Sequence, residues 1–347
     1  MGGDFTIDYL GKVYRTTIHR DLTDDEYRSV VEGIRSRPSL YEVRSQLASL
    51  PHGGDDIGKI YAYYVRDIAY KTRLVYNNWS IDEALRHKPL MEFFAGKVEE
   101  NKKVFPDTLP LWKKIETAFR LCGFRTCSKP ANFPIGAIDS LLRRFCPDGG
   151  NYYDFSCGWG TRLLSSLRNR VAYFGTDPND ELVPKLREMA DEYRRVCHEE
   201  VPSDIRCAGS ETFIPEWEGI MDFAFSSPPY FSLEDYRIGE GQSYHEGMEY
   251  GEWVSRYVRP TVENCARYLK PGGVFGYNVK NNPKYIPHDM EGDWEDTTLS
   301  NGFEPIEVVR MRNGSRVSGH RHSGGENTIL VHDGDESIFL YRRLAGK

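Results

Sequence analysis

Short apolar runs alternate with amphipathic stretches along most of the chain, and Gly, Pro and acidic residues separate them. An apolar run between turn signals predicts a buried strand, and a 3.6-residue apolar period predicts a helix. On this pattern Tyr152–Asp154, Val171–Asp177, Asp204–Cys207, Met221–Phe225 and Val274–Val279 are strands. Ile135–Phe145, Leu182–Cys197 and Trp253–Leu269 are helices. Lys270-Pro271-Gly272-Gly273 is a tight turn. Glu304–Met311 and Ser337–Arg343 are two last strands. The first 120 or so residues read differently. A small hairpin or strand over Phe5–Thr17 precedes mostly helical periodicity. Thr23 with Glu26, and Ser80 with Glu83, carry the spacing of a helix-start capping box.

Composition narrows this only moderately. The 347 residues are 39% hydrophobic and 28% charged, which is ordinary for a globular chain able to bury a large core. No apolar run is long enough to span a bilayer, and the N-terminus has no apolar signal region. Seven scattered cysteines with no CxxC pair point to free thiols in a reducing cytosol, so a cytoplasmic location is expected. The net charge of −7 lacks the basic excess of many dedicated DNA binders. No metal is expected: His320 and His322 have no Cys or carboxylate partners at ligand spacing.

The chain is organised around Ser226-Ser227-Pro228-Pro229-Tyr230-Phe231. The prolines stop the preceding strand, because proline offers no N–H to a ladder and fixes φ. This leaves a rigid turn at a strand's carboxyl end, where open α/β sheets bind ligands. The Ser227 hydroxyl and the Pro228 carbonyl can both accept hydrogen bonds from the exocyclic amine of a base. Such contacts free the nitrogen lone pair from the ring. Tyr230 can stack on the base.

Ser227-Pro228-Pro229-Tyr230 resembles motif IV of the DNA amino-methyltransferases, which modify cytosine N4 or adenine N6. Asp154-Phe155-Ser156-Cys157-Gly158-Trp159-Gly160-Thr161 resembles motif I of methyltransferases dependent on S-adenosyl-L-methionine (SAM). That resemblance implies that Asp154, Ser156 and the backbone around Gly158 and Gly160 hold the amino acid end of SAM. Trp159 departs from the small residue usual there. Asp177 ends the next strand about 20 residues on, the offset of a ribose-binding acid. The family pattern further places Ser210 and Glu211 at the adenine ring and Phe133, in a loose match to motif X, at the methionine end.

The resemblance covers about residues 128–345 and implies an α/β, Rossmann-like fold. Its seven-stranded, mostly parallel sheet ends in an antiparallel hairpin. A catalytic domain over 126–347 then follows a mainly helical region over 1–125. The motif order is similar to that of the gamma enzymes, but no recognition domain follows the catalytic motifs. The expected activity is SAM-dependent methyl transfer to the amine of a DNA base, by in-line displacement without a strong general base. Ser227 leans towards cytosine N4, and adenine N6 stays open. RNA, a nucleotide or another planar amine is the alternative substrate, and a non-catalytic SAM-binding regulatory protein is the alternative of another class.

Two further stretches have two readings each. Lys59–Trp79 interleaves Tyr61, Tyr63, Tyr64, Tyr70 and Tyr76 with Arg66, Lys71 and Arg73. It is either a core helix with packed tyrosines or a helix laid on nucleic acid. Arg312–Asp335 is either a basic loop for a phosphate backbone or a solvated hairpin tip. Phe231–Tyr257 is expected to be a loop over the site.

Overall fold

The computed structural model describes residues 5–9, 12–16, 20–75, 79–101, 103, 105–121, 132–311 and 336–345. The basic stretch 312–335 lies outside them, as do Tyr76 and Lys129–Ala131. In chain order, β1 (Phe5–Tyr9) and β2 (Lys12–Thr16) form an antiparallel hairpin. There follow α1 (Asp24–Arg35), α2 (Leu40–Ser49), α3 (Gly58–Tyr64), α4 (Arg66–Ala69) and the short β3 (Arg73–Leu74). Next are α5 (Ile81–Leu85), α6 (Lys88–Glu100), α7 (Leu111–Leu121) and α8 (Ile135–Phe145). The strand–helix alternation then begins with β4 (Asn151–Asp154), α9 (Thr161–Arg168), β5 (Ala172–Asp177), α10 (Leu182–Cys197), β6 (Ser203–Cys207) and β7 (Met221–Ser226). It ends with β8 (Glu234–Asp235), α11 (Tyr250–Trp253), α12 (Arg259–Tyr268), β9 (Leu269–Val279), α13 (Met290–Ser300), β10 (Phe303–Met311) and β11 (Glu336–Arg343).

The chain forms two compact units that interleave in sequence. One comprises residues 1–39, 65–131 and 233–237, and the other 40–64, 132–232 and 238–347. This differs from a boundary at 125/126, because α2 and α3 belong with the sheet. Arg44 on α2 reaches the buried Glu192 on α10 at 2.5 Å, and Cys197 of α10 donates to the Leu47 carbonyl.

The helical unit buries an apolar cluster that includes Val30, Ile34, Leu90, Phe94, Ile115 and Phe119. Both capping boxes form: Thr23 with Glu26 opens α1, and Ser80 with Glu83 opens α5. Lys59–Trp79 is not one helix. It breaks at Val65 into α3 and α4 and then enters β3, and Tyr61, Tyr64 and Tyr70 are buried. Burial is what the core reading expected of those tyrosines.

The sheet unit has the order β10-β11-β9-β7-β4-β5-β6. β9, β7, β4, β5 and β6 run parallel, and β11 is antiparallel to both β9 and β10. This is the Rossmann-like sheet with a closing antiparallel hairpin. Successive strand residues face opposite sides, so a parallel sheet covered on both faces has two cores. Adjacent tyrosines of β4 show this. Tyr152 packs against Tyr173 and Phe223, whereas Tyr153 packs against Trp217 and Tyr268. The Lys270–Gly273 turn lies within β9 as a bulge, where the pairing with β7 jumps from Met221↔Leu269 to Phe223↔Val274. The pattern of the sequence did not mark α13, which buries Trp294 beside Phe155 and Tyr277.

Candidate functional site

The carboxyl ends of β4, β5, β6 and β7 carry most of the expected site residues, at the edge where doubly wound sheets bind ligands. β4 ends in Asp154, and a glycine-rich loop leads into α9. Gly158 (φ 55) and Gly160 (φ 85) both take left-handed backbone, which favours glycine. Asp154 has no exposed surface. Its carboxylate accepts from Arg162 Nε at 2.9 Å and from the Tyr173 hydroxyl at 2.9 Å. Arg162, only 6% exposed, also donates to the Ser156 carbonyl and lies 5.9 Å from the Phe133 ring centroid. Asp154 therefore shapes the loop through Arg162 and also directly, since its other oxygen accepts from the Ser156 N–H at 3.4 Å. The sequence reading did not single out Arg162. Its signal would have been an arginine on the apolar side of a helix start, which needs a buried partner.

Asp177 ends β5 and is partly exposed. Its carboxylate accepts from the backbone N–H of Asn179 at 3.0 Å and of Gly158 at 3.3 Å. Burial pushes its pKa up to about 6, against the pull of those two N–H groups. A carboxylate has about four lone-pair sites, so capacity remains for two hydroxyl donors. Next to it in the chain, Pro178 lines a cleft of ≈ 370 Å³ together with Ala208, Gly209, Glu211, Met248 and Tyr257. Glu211 is exposed as a residue, yet its carboxyl borders this cleft and partial desolvation raises its pKa. Ser210 is turned away. It is 2% exposed, and its hydroxyl pairs with that of Thr261 at 2.7 Å. It braces α12 and does not line the cleft.

The stretch after β7 covers this edge in part. Gly241, Gln242, Ser243 and His245 line the cleft. Tyr257 lies in a π-helical turn, Val254–Val258, between α11 and α12, and its hydroxyl is 3.4 Å from Ser156 Oγ. Residues 233–237 depart from the loop expected over the site, since they include β8, which pairs with β3 in the helical unit.

The Pro-Pro turn is braced from two sides. Ser226 Oγ donates to the Ser156 carbonyl at 3.2 Å, which ties the turn to the glycine loop. Ser227 Oγ donates to Asn278 Oδ1 at 3.3 Å, and the Tyr230 hydroxyl donates to the Asn278 carbonyl at 3.4 Å. Pro228 is buried, while Ser227, Pro229 and Tyr230 are partly exposed. Phe133 packs edge-on against Phe225 at 5.3 Å, just before the turn. Phe231 follows with φ 40, an unusual backbone for a bulky residue. Its ring meets Tyr244, Tyr250 and Trp253, and Tyr250 stacks on His288 at 4.0 Å. Among the described residues no group of His, Cys, Asp and Glu is placed to hold a metal ion, and no helix is long and apolar enough to cross a membrane.

No family model matches the chain. Carboxy-S-adenosyl-L-methionine synthase of Actinobacillus pleuropneumoniae serotype 5b (strain L20) is 35% identical over 77 residues, 21% of this chain and 30% of that protein. The chain thus spans 30% of the length of the curated relatives it matches. Among solved structures, geranyl diphosphate methyltransferase in complex with SAM aligns with a TM-score of 0.41 at 12% identity, over 71% of this chain and 95% of that one. A TehB-like SAM-dependent methyltransferase from Corynebacterium glutamicum aligns with a TM-score of 0.40 at 12% identity, over 67% and 96%.

Proposed function

We propose that this chain is a SAM-dependent methyltransferase acting on the exocyclic amine of a DNA base, cytosine N4 or adenine N6. The observation that carries the reading is the bond from Ser226 Oγ to the Ser156 carbonyl, which sets Ser227-Pro228-Pro229-Tyr230 against the glycine loop. A cofactor loop and an amine-accepting turn are then neighbours, as transfer between two bound groups needs.

The residues present fit SAM. Asp177 keeps lone pairs for two ribose hydroxyls, and Pro178, Ala208, Met248 and Tyr257 wall a cleft suited to a flat purine. The Thr161 hydroxyl, buried beside the glycine loop without a partner among the described residues, is an unmet polar group of the kind a ligand satisfies. When bound, SAM supplies an electrophilic methyl carbon. The protein's own part is to accept hydrogen bonds from the amine's N–H groups at Ser227 Oγ and the Pro228 carbonyl, and to stack the base on Tyr230; the proton leaves the nitrogen to solvent after it has become cationic. A base in duplex DNA would first be flipped out. A net charge of −7 favours a second reading, in which the amine belongs to RNA or a small planar molecule.

Nucleoside mass spectrometry on DNA and RNA tests this, comparing cells that express the wild type with cells that express a Pro228→Ala, Tyr230→Ala double variant. A methylated cytosine or adenine in DNA, absent with the variant, is the expected result. A mark in RNA alone moves the substrate to the second reading. No mark in either, together with no SAM binding by the pure protein, refutes the enzyme assignment.

A further inference from the structure

Asn278 sits near the carboxyl end of β9 and is 1% exposed. Its Nδ2 donates to the Ser337 carbonyl of β11 at 2.8 Å. A carbonyl can only accept, so the amide is held with its nitrogen towards β11 and its oxygen towards the Pro-Pro turn. That oxygen accepts a hydrogen bond from the Ser227 hydroxyl at 3.3 Å. The Ser227 proton is therefore committed inwards, and only oxygen lone pairs face a ligand. The backbone carbonyl of the same residue accepts from the Tyr230 hydroxyl at 3.4 Å. One buried residue thus holds both the acceptor and the stacking ring of the turn.

We propose that Asn278 is a positioning residue that sets substrate specificity by polarity. It fixes Ser227 as an acceptor, so the turn selects an exocyclic N–H donor and rejects an exocyclic carbonyl. This rests on the reading that a planar base docks at the turn, and it deepens that reading. A free serine hydroxyl rotates and serves donors and acceptors alike. With its proton held by Asn278, it meets a carbonyl oxygen lone pair to lone pair. The loss of one hydrogen bond plus this repulsion corresponds to a preference of roughly five- to tenfold for the amine.

The test is an NMR titration of the full chain with two nucleoside pairs, each differing by an amine-to-carbonyl change. The pairs are 2′-deoxycytidine with 2′-deoxyuridine, and 2′-deoxyadenosine with 2′-deoxyinosine. The wild type is expected to prefer the amine member of at least one pair. In Asn278→Leu and in Ser227→Ala that preference falls several-fold, to the part that the Pro228 carbonyl alone supplies. In Asn278→Asp it is retained. Burial keeps that carboxyl protonated, so it still donates to Ser337 and accepts from Ser227. Ser227→Ala is a small change at a partly exposed position and keeps the test decisive if Asn278→Leu does not fold. Equal amine preference in the wild type, Asn278→Leu and Ser227→Ala overturns the proposal, as does no preference in the wild type. Methyl transfer is measured separately. A preference without transfer leaves the polarity device standing and removes the enzymatic reading, whereas transfer without a preference does the reverse.

Discussion

If Asp177 holds the ribose as proposed, SAM affinity should depend on pH in a calculable way. Burial raises its pKa from an ordinary 3.8 to about 6, while its oxygens remain placed to accept hydroxyl donors. Ionised oxygens are the stronger acceptors, so affinity should rise with pH through about 6 and level off above it. At pH 5 about one carboxyl in ten is ionised, which makes binding roughly tenfold weaker, or about 1.4 kcal/mol. The free protein responds in the opposite direction. A raised carboxyl pKa contributes stability that is full below about pH 4 and is lost as pH rises through about 6. Asp177→Asn removes the charge from two hydroxyl contacts and should weaken SAM by about 2–3 kcal/mol, or roughly 30- to 150-fold. It should also flatten the pH profile, which separates Asp177 from Glu211, whose pKa is raised as well. Calorimetric titration with SAM from pH 5 to 8, on wild type and Asp177→Asn, measures both effects. A flat wild-type profile, or an unchanged slope in the variant, would refute the ribose-acid assignment.

Arg162→Met leaves Asp154 buried beside Tyr173 without its cation. The expected loss is about 3–5 kcal/mol, read by urea denaturation. Adding Asp154→Asn should restore part of it, because the uncompensated charge is then gone. Gly160→Ala places a Cβ at φ 85 and 2.9 Å from the Met189 sulfur, which should cost about 1–2 kcal/mol and lower the melting temperature. Thr23→Ala removes the α1 cap and should cost about 1 kcal/mol in the helical unit, seen as faster amide exchange in the first turn of α1.

Short-range chemistry was legible in the order of residues. The helices Ile135–Phe145 and Leu182–Cys197 form with the bounds their periodicity predicts, and Thr23 and Ser80 cap where the box spacing placed them. The buried strands follow from apolar runs too short for helices, and the two prolines end β7 because neither can donate to a ladder. Each of these signals lies within a few residues of its effect. Tertiary structure alone decided matters that join distant residues. It placed residues 40–64 with the sheet and broke Lys59–Trp79 at Val65, because packing overrides local propensity. It turned Ser210 into the protein and committed Asp154 to Arg162 and Tyr173, since a buried polar group takes whichever partner the fold presents. The link from Ser227 to Asn278 spans 51 residues and the next runs on to a third strand, so only strand order and register could bring those atoms together.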